Sequence, residues 1–414
     1  MTFESMWRDL APIGRSSASG GYFRQPWAGA ELELRAWFRE QADARGLTLE
    51  EDPFGNLVAW WSPGSRDGRQ GDLLDHRGAV LTGSHLDQRG AVLTGSHLDS
   101  VLDGGAFDGP LGVVSAFAAV DLLRDRGVTP GRALGIAAFV EEEGSRFGRA
   151  CLGSRLATGA ARWEDARSLA DRDGVLLGDV VAGGDPTPWL DRVGCFVELH
   201  VEQGRGLVDH ESPVGMASGI WPHGRWRYDV RGRADHAGTT RMADRADPML
   251  TFAMTALAAN KQARLTDQRA TFGRVEVAPN GTNAVPSRVT GWLDARAETE
   301  ADLESLVTAI EKLAGERADR DGTTLEVTAE SVSAAVSFDD ALRERIGGGL
   351  PVLPTQAGHD AGILQDAGIP TAMLFVRNPT GVSHSPDEHA EAGDCVAGVD
   401  ALADLLMRAL GESP

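Results

Sequence analysis

Gly95-Ser96-His97-Leu98-Asp99 is followed closely by Gly104-Gly105-Ala106-Phe107-Asp108-Gly109, which brings one imidazole and two carboxylates together directly after an apolar run. Open α/β sheets present ligands at the carboxyl ends of their strands, and these residues stand at such an end. His97 and Asp108 read as metal ligands. Asp99, two residues along the same extended segment, is placed to take the other ring N–H of His97 and raise its basicity. A second apolar run ends in Glu141-Glu142-Glu143. Adjacent carboxylates cost stability unless a cation or a shared proton compensates, and a metal ion is the simplest compensation. Successive side chains leaving a strand point to opposite sides, so one glutamate can ligate metal while its neighbour acts as general base. His200, in Glu198-Leu199-His200-Val201-Glu202-Gln203-Gly204, and His384, in Gly381-Val382-Ser383-His384-Ser385-Pro386, supply two more imidazoles beside apolar runs. Nitrogen and oxygen donors without a thiolate suit Zn, Mn, Co or Ni as divalent ions, and a bridging carboxylate such as Asp108 suits a pair of them.

Strands are needed to position these residues. Ala91 to Gly95 and Leu134 to Val140 read as buried strands, and Leu111 to Arg126, apolar at helical spacing after Pro110, reads as the helix between them. Strand, helix, strand is the unit of a parallel α/β sheet. From about Pro213 the texture changes. Arg225 to Arg233, Ala270 to Pro279, Ser287 to Arg296 and Thr323 to Ser331 read as strands, and Pro248 to Arg264 and Ala301 to Arg317 as helices. The expected organisation is a catalytic α/β domain with a mainly parallel sheet, formed by residues 1–211 and 332–414, around an inserted smaller α+β domain at 212–331. Thr371 to Val376 and the helical Asp394 to Leu410 complete the first domain. Arg77 to Asp87 and Arg89 to Asp99 carry the same residues, RGAVLTGSHLD, twice in tandem. A solenoid needs three or more units, so this is a local duplication in which two strand candidates compete for one slot.

The chain has 414 residues, enough for two domains that each bury a core without disulfides. Its three cysteines, Cys151, Cys195 and Cys395, are widely spaced, which argues against a disulfide framework or a cysteine-built zinc site. A formal net charge of −21 disfavours nucleic acid and anionic membrane as partners. Met1 to Arg15 has no apolar leader core, and no later stretch reaches the ~20 apolar residues of a membrane span, so a cytoplasmic protein is expected.

These motifs resemble those of the amidase/hydantoinase/carbamoylase branch of the M20 metallopeptidase-like superfamily, which includes allantoate amidohydrolases, N-carbamoyl-L-amino-acid hydrolases and β-ureidopropionases. GSHLDS, GGAFDGPLGV, EEEGSRF, ELHVEQG, DHAGTTRM, NAVPSRV with LDAR, AGHDAG and GVSHSPDEH occur in the family's order from about Pro53 to the C-terminus. The resemblance implies a di-metal domain and a ferredoxin-like lid and dimerisation domain. It implies that His97, Asp108 and His200 hold one metal and that Asp108, Glu143 and His384 hold the other. Glu142 would be the general base, and Asp99 would orient its neighbour. It selects the second copy of the repeat, because Asp108 follows His97 and Asp99 at the family's distance, whereas His85 and Asp87 come one repeat too early. His236 resembles an oxyanion donor delivered into the partner subunit's site, which implies a homodimer. Asn283 and Arg296 would grip the substrate carboxylate, with Gln203 and His359 in the pocket. The implied reaction is hydrolysis of a carbamoyl (ureido) C–N bond on a small carboxylate, releasing ammonia and CO2. Allantoate comes first as substrate, N-carbamoyl-L-amino acids second, and a peptidase or N-acyl amino acid hydrolase third. A non-catalytic metal-dependent binding protein is the alternative from another class, and Glu142, which a pure binder does not need, argues against it.

Overall fold

The computed structural model describes residues 2–63 and 90–411. Two compact units divide the chain. Unit 1 comprises Met1–Gly219 and Ser337–Pro414, and unit 2 comprises Ile220–Val336, so the division falls a few residues later at each end than the sequence texture suggested. The first copy of the repeat, with His85 and Asp87, lies outside the described residues.

Unit 1 begins with helices α1 (Phe3–Leu10) and α2 (Gly29–Ala44) and strands β1 (Thr48–Glu51) and β2 (Leu57–Trp61). The second repeat copy then supplies β3 (Ala91–His97). Next come α3 (Pro110–Asp125), β4 (Leu134–Phe139), α4 (Leu152–Thr158), β5 (Val193–Val201) and β6 (Val214–Ile220). The sheet order from its outer strand is β1, β2, β4, β3, β5, a C-terminal strand Thr371–Val376, then β6. β4, β3, β5 and the Thr371–Val376 strand run parallel, while β2 and β6 flank them antiparallel. β3 and β4 are buried along their whole length, as strands covered on both faces must be. α3 starts with Pro110 in its first turn and is apolar nearly all round, because it is enclosed between β3 and β5 and the C-terminal helix. Gly95, at φ +144°, leaves no room for a side chain: an added Cβ would lie 2.0 Å from the Ala137 carbonyl oxygen.

Unit 2 contains β7 (His223–Arg231), the short β8 (Asp235–His236), α5 (Pro248–Leu265), β9 (Arg269–Ala278), the short β10 (Ala284–Val285), β11 (Arg288–Arg296), α6 (Glu300–Asp321) and β12 (Thr324–Ser333). The long elements follow the β-α-β-β-α-β order of a ferredoxin-like fold, in an antiparallel sheet ordered β12, β7, β11, β9. Asp247 and Thr299 cap α5 and α6 by accepting from the Met249 and Asp302 amides. Both helices pack on one sheet face, around Trp226, Tyr228, Leu293, Leu306 and Ile310. The chain returns to unit 1 through β13 (Val336–Ser337), α7 (Asp340–Ile346), β14 (Val352–Thr355), α8 (Asp360–Asp366), β15 (Thr371–Val376) and α9 (Ala392–Leu410). All three cysteines are buried and unpaired. Among the described residues, no helix is long and apolar enough to cross a membrane.

Candidate metal centre

Because β4, β3 and β5 run parallel side by side, His97, the glutamates after Phe139 and His200 all emerge at the same edge of the sheet. Asp108 lies among them on the turn before α3. Its Oδ1 is 3.5 Å from His97 Nε2 and 3.2 Å from His200 Nε2, while its Oδ2 is 3.4 Å from His384 Nε2. His384 Nε2 is also 3.1 Å from Glu143 Oε2. One carboxylate thus faces two donor groups, His97 with His200 and Glu143 with His384, and each trio could hold an ion. A further trio, Glu198 with His200 and His359, is less available, since Glu198 already accepts from Ser96 Oγ and the Ala361 amide.

The donor atoms fit metal. His97 Nδ1 is 3.2 Å from the Asp99 carbonyl oxygen and His200 Nδ1 is 2.9 Å from that of Val201. A carbonyl only accepts, so both rings carry their proton on Nδ1 and turn a bare Nε2 toward Asp108. Both Nε2 atoms and Glu143 Oε1 are buried without a hydrogen-bond partner, which is costly unless a cation satisfies them. Burial raises the Asp108 carboxyl, and with no cation present only protonated His200 and His97 outweigh that and hold it well below the usual range; an ion facing the bare Nε2 atoms would take over that part. His384 is pushed up to about 9, chiefly by Glu143.

Glu142 lies 3.7 Å from His97 Nε2 and is buried. Burial pushes its carboxyl well up, against the pull of His97 and with Asp360, Glu143 and Asp108 adding to it. Asp99 does more than the sequence suggested. Its backbone carbonyl is the nearer partner of His97, and its carboxylate, 3.5 Å from that ring, accepts the amides of Glu142 and Glu143 at 3.2 Å each. It therefore ties the end of β3 to the glutamate turn. Gln203 donates to Asp108 Oδ2 at 2.7 Å, and the buried His359 packs its ring 4.5 Å from that of His200.

His236, Asn283 and Arg296 belong to unit 2. His236 is exposed, and its Nδ1 accepts the Gly238 and Thr239 amides at 3.0 and 3.2 Å, which leaves the proton on Nε2 as an outward donor. Arg296 is forked onto Asp294 through Nε and Nη2, at 2.8 and 3.2 Å. The family resemblance put Asn283 and Arg296 on one carboxylate, yet within a single chain they lie beyond and at opposite ends of β11. Its nine residues span about 27 Å, too far for one small substrate to reach both.

The motifs carried no assigned role for several residues that shape the site. Glu388 accepts the Phe107 and Asp108 amides at 2.7 and 3.0 Å, and Ser383 donates to Asp108 Oδ2 at 3.1 Å. Glu141, at φ 56°, accepts the Arg146 and Phe147 amides and shapes the turn behind its neighbours. Glu388 and Ser383 stand in GVSHSPDEH, so their presence near the site could have been read from the motif. Their partners could not.

The sequence profile of Peptidase family M20/M25/M40 matches residues 93–408. The chain belongs to this family. It is a hydrolase, 34% identical to an N-carbamoyl-L-amino acid amidohydrolase of Geobacillus stearothermophilus over 96% of each chain. It is 30% identical to the allantoate amidohydrolase of Escherichia coli over 96% of this chain and 95% of that one. The structure of an amidase of the hydantoinase/carbamoylase family from Burkholderia vietnamiensis superposes with a TM-score of 0.84 at 26% identity, covering 98% of this chain and 96% of the other.

Proposed function

We propose that this M20-family hydrolase cleaves the carbamoyl (ureido) C–N bond of a small carboxylate, releasing ammonia and CO2. The observation that carries the reading is that two histidine-containing trios share Asp108, with Glu142 beside them as an acidic group that neither trio uses. His97, Asp108 and His200 would hold one divalent ion, and Asp108, Glu143 and His384 a second. Bound there, such ions polarise the scissile carbonyl and make water more acidic. Glu142, whose backbone N–H donates to the Asp99 carboxylate, takes the proton from the attacking water and returns it to the leaving nitrogen. Its burial in a low-dielectric wall favours accepting that proton. His236, with its proton fixed on Nε2, donates to the oxyanion that develops as water adds. Gln203 fixes Asp108, and His359 backs His200.

The active form in this reading is a homodimer in which each site draws on both copies. Arg296 and Asn283, separated by the length of β11, grip one substrate carboxylate only if they come from different copies. The exposed Leu250, Met254 and Leu257, at i, i+4 and i+7 on α5, give unit 2 an apolar stripe suited to a symmetric contact. Allantoate is the substrate placed first, on the wording of EEEGSRF and HAGTTRM. N-carbamoyl-L-amino acids come second, and relatives of both kinds are similar to this chain.

The test is ammonia release by protein reloaded with Mn, Zn, Co or Ni, offered allantoate beside a panel of N-carbamoyl-L-amino acids, with Glu142→Gln as the control. Turnover that needs both metal and Glu142 supports the reading, and the preferred substrate decides the subfamily. Metal-loaded dimer that turns over none of them sinks it.

A further inference from the structure

Arg231 on β7 and Arg288 on β11 are directly opposed partners in the antiparallel register. Like charges across a strand pair repel and destabilise it unless something compensates. Both side chains are exposed, and both line a depression of about 320 Å³ on the sheet face opposite α5 and α6, together with Arg227, Asp229, Thr290 and Trp292. The carboxylates bordering it are already engaged. Asp229 accepts from Thr290 Oγ1 at 2.7 Å and from Arg227 Nε at 2.9 Å. Burial would raise its carboxyl, but these two bonds, with the nearby charges of Arg227 and Arg288, keep it below its ordinary value, and so ionised. Glu276 is paired with Arg274, whose guanidinium stacks 4.0 Å over the Trp292 ring. Among the described residues, the side chains of Arg231 and Arg288 make no hydrogen bond or ion pair, although Arg288 is near enough to Asp229 to help hold its carboxyl low.

In a chain of net charge −21, two neighbouring cations with no ion pair of their own, beside an Asp229 already bonded to Arg227, are a local exception. We propose that Arg231 and Arg288 form a binding site for a phosphate dianion on unit 2, remote from the metal ligands in sequence and assigned no part in hydrolysis. Guanidinium forks match phosphate oxygens in pairs, and a dianion between them turns the repulsion into attraction. The depression is larger than a phosphate group and near the lower limit of about 300 Å³ for small-molecule pockets, which leaves room for an organic portion beside Trp292. Exposed ion pairs are screened by salt, so affinity falls as ionic strength rises.

Calorimetry on the metal-loaded protein, with inorganic phosphate and ribose 5-phosphate as separate probes, tests this. Wild type is expected to show saturable binding that the double variant R231Q/R288Q weakens by about tenfold or more, as loss of charge-assisted bonds requires. Tighter binding of the sugar phosphate points to a phosphate ester as the ligand, and equal binding points to free phosphate. Because phosphate could also meet the metal centre, the readout is the binding that the double variant lacks. A second measurement is independent of affinity: Arg288→Gln alone relieves the repulsion and raises the thermal midpoint in phosphate-free buffer. Equal binding by wild type and double variant, or no saturable binding of either probe, overturns the proposal. Neither result depends on turnover, so the hydrolase reading stands or falls separately.

Discussion

Replacing Glu142 by Gln keeps the shape of the side chain and removes its capacity to take a proton. Loss of general-base catalysis is expected to lower kcat by about 10²–10⁴-fold while metal content, measured by mass spectrometry, stays at the wild-type level. If metal is lost as well, Glu142 acts as a ligand and not as the base. Gly109 offers a different test at this scale. It sits at φ +85°, and an added Cβ would lie 2.4 Å from His97 Cε1. Gly109→Ala therefore has to push the imidazole off its line to Asp108, and metal affinity is expected to fall by about 10–100-fold, as it does when a ligand's support is disturbed. An Ala variant with unchanged affinity would show that the ring has room to move. The chemistry-bearing types, His, Asp and Glu at strand ends, are what a sequence displays well. The tautomers of His97 and His200 are not displayed, because they depend on which carbonyl each Nδ1 meets.

The same limit holds for elements. β3, α3 and β4 were legible because an apolar strand, a proline-started helix and a second apolar strand follow one another in the pattern of a parallel unit. β2 and β6 were not: a short run buried throughout, such as β2, shows no alternation to mark it as a strand, and the direction in which a strand pairs is not written in its own residues. Their antiparallel pairing carries a prediction about the duplicated segment. Trp61 at the end of β2 and Val92 at the start of β3 flank the same residue, Leu134 on β4, so the gap between them is only two strand spacings, about 10 Å. Deleting Arg77 to Gln88 leaves ample chain to cross it. The deletion is expected to keep activity, metal content and thermal midpoint within error of wild type, and a loss of any of them would assign the first copy a structural part.

For the molecule as a whole, the division of labour between units sets up a complementation test. Neither Glu142→Gln nor His236→Ala protein should turn over alone. If each site takes His236 from the other copy, mixed and reassociated variants should recover about a quarter of wild-type activity, because half the dimers are mixed and each mixed dimer has one intact site. No recovery after exchange, with mixed dimers present, places His236 in its own chain's site. Chelation is a second test at this scale. Asp108, Glu142 and Glu388 are buried close together beside the partly buried Glu143, so withdrawing cations leaves their charges opposed, and the thermal midpoint should drop and recover on adding metal back. An unchanged midpoint would mean that protons compensate the cluster as well as ions do.

By itself, the sequence determined the fold class and displayed the carboxylates and imidazoles at strand ends, while the family resemblance chose which of two identical segments goes with Asp108. These are properties of residue type, period and local spacing, which survive being read along a line. Only the tertiary structure decided that Asp108 turns one oxygen to each trio, that the Asp99 carboxylate bonds to the glutamate turn, and that Asn283 and Arg296 stand at opposite ends of a strand. Each of these depends on which strands lie side by side and in what direction, and pairing of that kind is settled by contacts between residues far apart in the chain.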